Sequence, residues 1–225
     1  MRSEVFLKSI HDEIDRRSQP IVALDIGCGR GIARNAKPIE DMAARVDKLW
    51  GVEPDTGIEI ASSFSQVWRN TLEMADIPDA SVDIAFSYFV IEHVENPAQF
   101  ADKLFRILKP NGVFIAATVG GNCFFAQAAT FFRRLGLDEL VLRIVHGSSK
   151  TEDYHYPTTY RLNTRRAFES VAGNQPWESI ELTFLENNEW YYYFPKGFRW
   201  CGSVYSRLVR NRLERYSYLF VRMKK

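Results

Sequence analysis

The sequence has few cysteines, no long apolar run and almost no excess charge. Its three cysteines, at positions 28, 123 and 201 of 225 residues, form no CxxC pair and no metal-ligand spacing. That argues against a disulfide framework and favours a reducing, cytoplasmic compartment. No run of about 18 apolar residues is present, so we expect no transmembrane span. The first 17 residues alternate charged and apolar side chains and contain no apolar signal-peptide core.

Charge and composition indicate which class of partner the protein binds. The chain has 29 Lys and Arg against 28 Asp and Glu, a net charge of +1, so it carries no global electrostatic footprint for nucleic acid. A hydrophobic content of 46% is ordinary for a globular protein with a full core. We therefore expect a small-molecule substrate rather than a nucleic acid. The sequence does not determine the oligomeric state.

Strand-like and helix-like segments alternate over the first half of the chain. Apolar, partly β-branched runs indicate buried strands, and apolar residues three and four apart indicate helices. This alternation predicts an α/β fold with a mostly parallel sheet. The predicted strands are 20–27, 48–55, 81–90 and 112–119, and the predicted helices are 3–17, 37–46, 56–68 and 97–112, the last ended by Pro-Asn-Gly.

The regular alternation of predicted strands and helices ends after residue 119. The remaining segments are predicted as two apolar-faced helices, a loop, a short helix and two alternating strands, at 123–147, 148–164, 164–173, 179–186 and 216–225. The two late strands fit an antiparallel pair at the edge of the sheet. We expect one domain over 1–225, with an N-terminal helix in 1–19, a cofactor-binding core in 20–119, a helical cap insertion in 120–175, and in 176–225 the last strands with an aromatic and basic segment.

A glycine-rich turn follows the first strand in "VALDIGCGRGIA". Gly27, Gly29 and Gly31 stand at alternate positions, where a strand meets an expected helix N-terminus with free backbone N–H groups. A dinucleotide site prefers the spacing G-x-G-x-x-G, and the sixth position here is Ile32. Asp25, two residues before the first glycine, would repel a pyrophosphate and attract a cation. The turn therefore favours a nucleoside ligand that also carries positive charge, as S-adenosylmethionine does.

Further acids and an aromatic residue follow later strands. Glu53 ends the second predicted strand, where a carboxylate can accept hydrogen bonds from both ribose hydroxyls. Asp76 lies in a turn and could accept from an adenine amino group, with Ile77 packed on the ring. Tyr88 stands at the carboxyl end of the 81–90 strand, where open α/β sheets bind ligands.

These motifs in order are similar to class I S-adenosylmethionine-dependent methyltransferases, a broad group that includes ubiquinone-biosynthesis and many small-molecule methyltransferases. The resemblance rests on "VALDIGCGRG", "GVEPD" and "ADIPDASVDIAFSYFVIEHV…KPNGVFIAATV", and covers about residues 20–120. It implies a Rossmann-like seven-strand sheet with an antiparallel last strand and helices on both faces. It also implies S-adenosylmethionine as cofactor, with the methionine end at Asp25, Gly27, Cys28, Gly29 and Gly31, the ribose at Glu53 and Pro54, the adenine at Asp76 and Ile77, and Tyr88 nearby.

The catalytic candidates lie just beyond the predicted 81–90 strand. His93 and Glu92, in "VIEHVENP", stand beside the expected methyl position, and the pair resembles that of quinone-pathway O-methyltransferases. A histidine there could take a proton from a hydroxyl acceptor, which favours O-methylation. Both residues could instead be structural, and C- or N-methylation would need no base. The further acid found upstream in some of those enzymes is missing, so we expect no metal site.

The last part of the chain holds the substrate candidates. Tyr154, His155 and Tyr156 could form a substrate wall, or a loop ordered by ring stacking. The aromatic segment 190–200 suits an apolar or lipid-linked acceptor, and equally a second core or a dimer interface. The basic, amphipathic segment 206–216 is predicted as a helix with a solvated face; weak contact with a membrane surface is the alternative. An S-adenosylmethionine-binding regulator or scaffold without catalysis is the rival function.

Overall fold

A computed structural model describes residues 2–18, 20–134, 136, 158–185, 197, 200–216 and 218–225. Its strands are β1 (Val22–Ile26), β2 (Lys48–Val52), β3 (Gln66–Trp68), β4 (Val82–Tyr88), β5 (Leu108–Val119), β6 (Ser179–Leu185) and β7 (Tyr218–Lys224). Its helices, numbered over the described residues, are α1 (Arg2–Asp15), α2 (Lys37–Ala43), α3 (Pro97–Ile107), α4 (Phe124–Arg134), α5 (Arg165–Ala172) and α6 (Trp200–Val209).

The seven strands form one sheet in the order β3-β2-β1-β4-β5-β7-β6. The first five pair in parallel, and β7 runs antiparallel to both of its neighbours. This confirms the predicted mostly parallel seven-strand sheet with an antiparallel last strand. Because β7 is reversed, its first residue lies at the edge where β1 to β5 have their carboxyl ends.

Helices cover both faces of the sheet, because each helix has one apolar stripe to bury. On one face, α1 and α2 insert their apolar residues against β1, β4 and β5. On the other face, α3 and α5 pack against the same strands and against β7. Phe168 of α5 is only 2% exposed. Residues 165–172, predicted as part of the cap, therefore belong to the main helical layer.

Three predicted elements differ from the structure. Residues 56–65 are turns and loop rather than helix, because Gly57 and the serines around Phe64 favour turns, and only 66–68 form a strand. Helix α3 ends at Ile107, and the Pro-Asn-Gly turn lies inside β5, where Asn111 has a φ of +64°. Helix α6 begins at Trp200 and ends at Val209, so segment 206–216 is helical only in its first residues and in a 3₁₀ turn at Leu213–Arg215.

Candidate cofactor and active site

The carboxyl ends of β1, β2, β3 and β4 meet at one edge of the sheet, since these strands are parallel neighbours. The loops that leave this edge begin at residues 27, 53, 69 and 89. Open α/β sheets bind ligands at this edge, where the strand order reverses. The reversal here falls between β1 and β4. We call this the carboxyl edge.

The glycine turn after β1 is tightly bound to the neighbouring strand. Gly27 has a φ of +78°, and a Cβ on it would overlap Val90 Cγ2, so only glycine fits. The N–H groups of Gly27 and Cys28 both donate to the Val52 carbonyl oxygen, at 2.7 and 3.1 Å. Gly31 has a φ of +80° and donates to the Cys28 carbonyl oxygen at 3.1 Å. The turn thus locks β1 to β2.

The free backbone N–H groups expected at this turn are not what the structure shows. Helix α2 starts at Lys37, as the sequence predicts, but bends and turns over 27–36 separate it from β1. The N–H groups of Gly27 and Cys28 are used by β2, and that of Gly29 by a side chain of the next loop. These extra turns lengthen the connection between the glycines and Glu53.

Glu53 accepts that hydrogen bond from Gly29. Its carboxylate is 6% exposed; Oε2 accepts from Gly29 N at 2.9 Å and Oε1 from Asp55 N at 2.9 Å, across Pro54. A Cβ on Gly29 would lie 3.1 Å from Oε2, so the small residue lets the carboxylate come this close. Two backbone donors fix the carboxylate at the carboxyl edge, and its other lone pairs remain for ligand hydroxyls.

Asp25 is a buried carboxylate near the end of β1. It is 3% exposed and pairs in register with Gly51 of β2. Within the described part of the chain, no donor lies within hydrogen-bond distance of its side chain. Burial, and secondly the negative charge of Glu53, raise the pKa of Asp25 well above its ordinary value. A positively charged partner would relieve both effects.

Cys28 has a packing role in this turn. Its side chain is 1% exposed and its Sγ lies 2.7 Å from where Gly51 would carry a Cβ. Burial, and then the charges of Asp25 and Glu53, raise the pKa of the thiol, so no thiolate nucleophile forms. The cofactor-binding role predicted for Cys28 therefore depends on its backbone at the glycine turn and not on its thiol.

Aromatic rings line the end of β4. The Tyr88 ring centroid lies 5.1 Å from that of Phe6 and 4.7 Å from that of Phe89. Phe89 has a φ of +58°, rare for a bulky residue, and is held by a hydrogen bond from its N–H to the Ala117 carbonyl oxygen at 2.8 Å. Such strain persists where surrounding contacts fix it, often at functional sites. The sequence places Phe89 next to Tyr88 at the carboxyl end of the predicted 81–90 strand, but it does not indicate the positive φ.

Glu92 faces the protein interior. It is 5% exposed, and its Oε2 accepts from Thr118 Oγ1 at 2.6 Å. Thr118 Oγ1 in turn accepts from Asn163 Nδ2 at 2.8 Å, and the Glu92 carbonyl oxygen accepts from the N–H groups of Thr159 and Tyr160. Burial raises the pKa of Glu92. We call Glu92, Thr118 and Asn163 the polar clamp: it fixes residues 159–163 to the end of β4. These contacts give Glu92 a structural role, and its catalytic role stays a prediction.

His93 keeps its place as a candidate base. It is partly exposed, in a 3₁₀ turn at Ile91–His93 directly after β4, and its N–H donates to the Val90 carbonyl oxygen at 2.9 Å. It therefore stands at the carboxyl edge, as predicted from the sequence.

Asp76 and Ile77 lie away from this edge. Ile77 is 2% exposed inside the core, and its carbonyl oxygen accepts from Lys103 Nζ at 3.2 Å. Asp79, three residues after Asp76, pairs at 2.9 Å with Arg106 in the last turn of α3, where β5 begins. The chain around residues 76–79 thus descends towards the amino ends of the strands. The structure does not bring Asp76 or Ile77 to an adenine position.

The loop after β3 occupies the place beside Glu53 instead. Glu53 N donates to the Trp68 carbonyl oxygen at 3.0 Å, so β3 ends next to it. Arg69 Nη1 donates to the carbonyl oxygens of Asp55 and Ile58, at 2.9 and 3.0 Å, and holds the loop after Glu53. Asn70 and Thr71 follow at the same edge and are exposed. Sequence reasoning missed them because it predicted a helix over 56–68.

The predicted substrate residues, Tyr154, His155 and Tyr156, lie outside the described residues. Among the residues that are described, no group of three or more His, Cys, Asp and Glu side chains could hold a metal ion. In the same residues, no helix combines the length and apolar character needed to cross a membrane.

Comparison with known proteins identifies the first half of the chain. Residues 24–116 match a family described as methyltransferase domain. A probable S-adenosylmethionine-dependent methyltransferase from Mycolicibacterium smegmatis is 37% identical over 97 residues, which are 42% of this chain and 37% of that protein. A ubiquinone biosynthesis O-methyltransferase from Photobacterium profundum is 28% identical over 141 residues, 60% of this chain and 57% of that protein. The chain thus spans less than two thirds of the length of these relatives.

Solved structures extend the likeness in fold to nearly the whole chain. A S-adenosylmethionine-dependent methyltransferase from Archaeoglobus fulgidus superposes with a TM-score of 0.59 at 11% identity, covering 99% of this chain and 94% of that one. At this identity the likeness concerns the fold alone. Residues 24–116 thus match the methyltransferase-domain family, and the chain shares its fold with solved S-adenosylmethionine-dependent methyltransferases.

Proposed function

We propose that the chain transfers a methyl group from S-adenosylmethionine to a small-molecule or lipid-linked acceptor. The observation that carries the proposal is the pair of buried acids, Asp25 and Glu53, at the ends of adjacent strands. Glu53 suits the ribose hydroxyls, and Asp25, which has no donor among the described residues, suits an ammonium group. S-adenosylmethionine carries both groups on one molecule.

A nicotinamide dinucleotide fits these residues poorly. Its pyrophosphate needs free backbone N–H groups at the glycine turn. Here the N–H groups of Gly27 and Cys28 already donate to Val52, and that of Gly29 to Glu53. The acids beside the turn would also repel the phosphates. The donors and acceptors that remain at the turn favour a ligand with positive charge.

Bound S-adenosylmethionine supplies an activated methyl group. The protein has to hold the two reactants in line and keep water away from them. The rings of Tyr88 and Phe89 pack against each other at the end of β4, the strand next to β1, and the strained Phe89 backbone is fixed by β5. We propose that His93, in the turn after β4 at the same edge, takes a proton from an acceptor hydroxyl. O-methylation is our finer proposal, supported by the ubiquinone O-methyltransferases among the relatives.

Calorimetric titration with S-adenosylmethionine and S-adenosylhomocysteine tests the cofactor. We expect both to bind wild type, and Glu53→Gln to weaken binding at least about tenfold, because a charged hydrogen-bond acceptor is lost. Asp41→Asn, an exposed acid of α2, is the matched control and should bind as wild type does. Well-folded wild type that binds neither ligand, or equal affinity in wild type and Glu53→Gln, would contradict the assignment.

The acceptor class needs a separate assay. S-adenosylhomocysteine formation should be measured on panels of catechol-type hydroxyl acceptors and of amines, with and without a lipid tail. We expect turnover on hydroxyl acceptors, and a kcat about 100-fold lower in His93→Gln, because a general base is removed. His11→Gln, on α1, is the control. Turnover only on amines would contradict O-methylation, and cofactor binding without any turnover would favour the scaffold function.

A further inference from the structure

Two helices at the carboxyl edge expose large apolar side chains. Trp200, Val204 and Leu208 of α6 are 64%, 45% and 72% exposed, and their spacing of four residues places them on one helix face. Phe124 and Phe131 of α4 are 44% and 59% exposed, seven residues apart and thus also on one face. We call these five side chains the apolar face. Apolar patches of this kind mark interaction sites.

The two helices are in contact. Tyr205 of α6 accepts a hydrogen bond from the Phe124 N–H at 3.0 Å, and the two rings lie 5.8 Å apart. Tyr205 also donates to the Arg215 carbonyl oxygen at 3.1 Å, which joins the turn after α6 to the same unit. The exposed side chains therefore belong to one connected surface rather than to two separate helices.

Four exposed arginines lie in α6 and in the turn that follows it. Arg207, Arg210, Arg212 and Arg215 are exposed, and none is within ion-pair distance of a carboxylate in the described part of the chain. The one acid in residues 200–216 is Glu214, whose carboxylate pairs with Arg165 at 3.2 Å. Residues 124–134 contain no acid at all. Exposed Trp and Leu flanked by arginines are typical of helices that lie in a membrane interface.

This surface lies at the same edge as the candidate site. Helix α4 follows the carboxyl end of β5, and the turn after α6 leads into the reversed strand β7, which begins at that edge. An acceptor held in a lipid layer against α4 and α6 would therefore meet the protein on the side where Asp25, Glu53 and His93 stand.

We propose that the apolar face and its arginines dock on a membrane surface rich in anionic lipid. The apolar side chains enter the boundary between headgroups and acyl chains, and the arginines bind the lipid phosphates. Charge complementarity favours anionic lipid over a second copy of this chain, because a symmetric dimer through this face would bring the two arginine clusters together. Direct delivery of a lipid-linked acceptor to the site follows, and that consequence rests on the proposed function.

Vesicle flotation of the full chain tests the proposal. We expect binding to an equimolar mixture of phosphatidylcholine and phosphatidylglycerol, weak binding to phosphatidylcholine alone, and release by salt. Arg210→Gln should lower the partition coefficient about fivefold, and the double variant Trp200→Ser with Leu208→Ser at least about tenfold. The matched controls are Met74→Ser, 73% exposed, and Arg166→Gln, also exposed, and both should bind as wild type does.

Several results would overturn it. The membrane proposal is wrong if folded wild type does not bind anionic vesicles. It is also wrong if the control variants lose as much vesicle binding as the variants of the apolar face and of Arg210. A dimer in sedimentation that Leu208→Ser dissociates, without vesicle binding, would assign the face to a second copy. S-adenosylhomocysteine titration of the same preparations separates the two proposals. Cofactor binding without vesicle binding removes only the membrane proposal, and vesicle binding without cofactor binding removes only the proposed function.

Discussion

Buried acids in two parts of the carboxyl edge have opposite surroundings. At the ends of β1 and β2, Glu53 accepts only from backbone N–H groups, and Asp25 has no donor among the described residues. At the ends of β4 and β5, Glu92 accepts from Thr118, which accepts from Asn163. The first pair keeps lone pairs and charge for a ligand. The second part satisfies its acid within the protein, and its hydrogen bonds hold the chain together at the end of β4.

The largest effect is expected where the β1 turn meets β4. Gly27→Ala places a methyl group on Val90 at a positive φ, so overpacking and backbone strain act together. We expect the free energy of unfolding in urea to fall by about 3 kcal/mol. Gly136, with a φ of +67° and nothing within 4 Å of an added Cβ, is the control. Gly136→Ala should lose only about 1 kcal/mol; equal losses in both variants would refute the close approach of Val90.

Thr118→Val separates the polar clamp from the cofactor acids. The variant removes the hydroxyl that donates to the buried Glu92 carboxylate and accepts from Asn163, which keeps its bond to the Val119 carbonyl oxygen, so unfolding should require about 2 kcal/mol less. Affinity for S-adenosylhomocysteine should stay within about twofold of wild type, since Thr118 belongs to the other part of the edge. A large affinity loss without a stability loss would place the clamp in the cofactor site.

The pH dependence of stability should single out Asp25. Its pKa is raised in the folded chain, chiefly by burial, so the folded state binds the proton more tightly than the unfolded state does. The free energy of unfolding should therefore decrease as the pH rises above 3.8, the ordinary value, through the raised pKa. Thermal melting should show this fall in wild type relative to Asp25→Asn, which cannot ionise there. Parallel pH profiles of the two proteins would contradict it.

Binding of S-adenosylhomocysteine should favour the ionised form of Asp25, which destabilises the free protein. Because Asp25 is expected to bind the ligand's ammonium group in its charged form, affinity should rise with pH through the raised pKa. Titrations in buffers of different ionisation enthalpy should then show protons released on binding. Proton uptake, or none, would remove Asp25 from the ammonium position.

The smallest effect is expected at the acid that the structure places elsewhere. Asp76→Asn should change cofactor affinity by no more than about twofold, as for an exposed side chain remote from the ligand. Asn70→Ala, at the edge beside Glu53, should weaken binding more. If calorimetry shows a larger loss of affinity for Asp76→Asn than for Asn70→Ala, Asp76 contacts the adenine. That result would contradict the path described for residues 76–79.

The sequence predicted those parts of the fold that repeat a pattern. Buried strands with acids at their ends, Asp25 and Glu53, were recognisable because apolar runs and sharp changes in polarity mark them. Strand β3 was missed, since its three residues are too few to show a period, and the positions after it were missed with it. Asp76 was favoured only as an acid in a turn, and its direction depends on α3. The burial of Glu92 depends on Thr118 and Asn163, which are distant in sequence.

The most direct test of the central claim is a crystal structure of the chain with S-adenosylhomocysteine. We predict the ligand across the ends of β1 and β2, with its ribose hydroxyls within hydrogen-bond distance of Glu53 and its ammonium group next to Asp25. The polar clamp should be unchanged, with Glu92 still bound to Thr118. A ligand bound elsewhere, or one that leaves Asp25 and Glu53 without contact, would contradict the account.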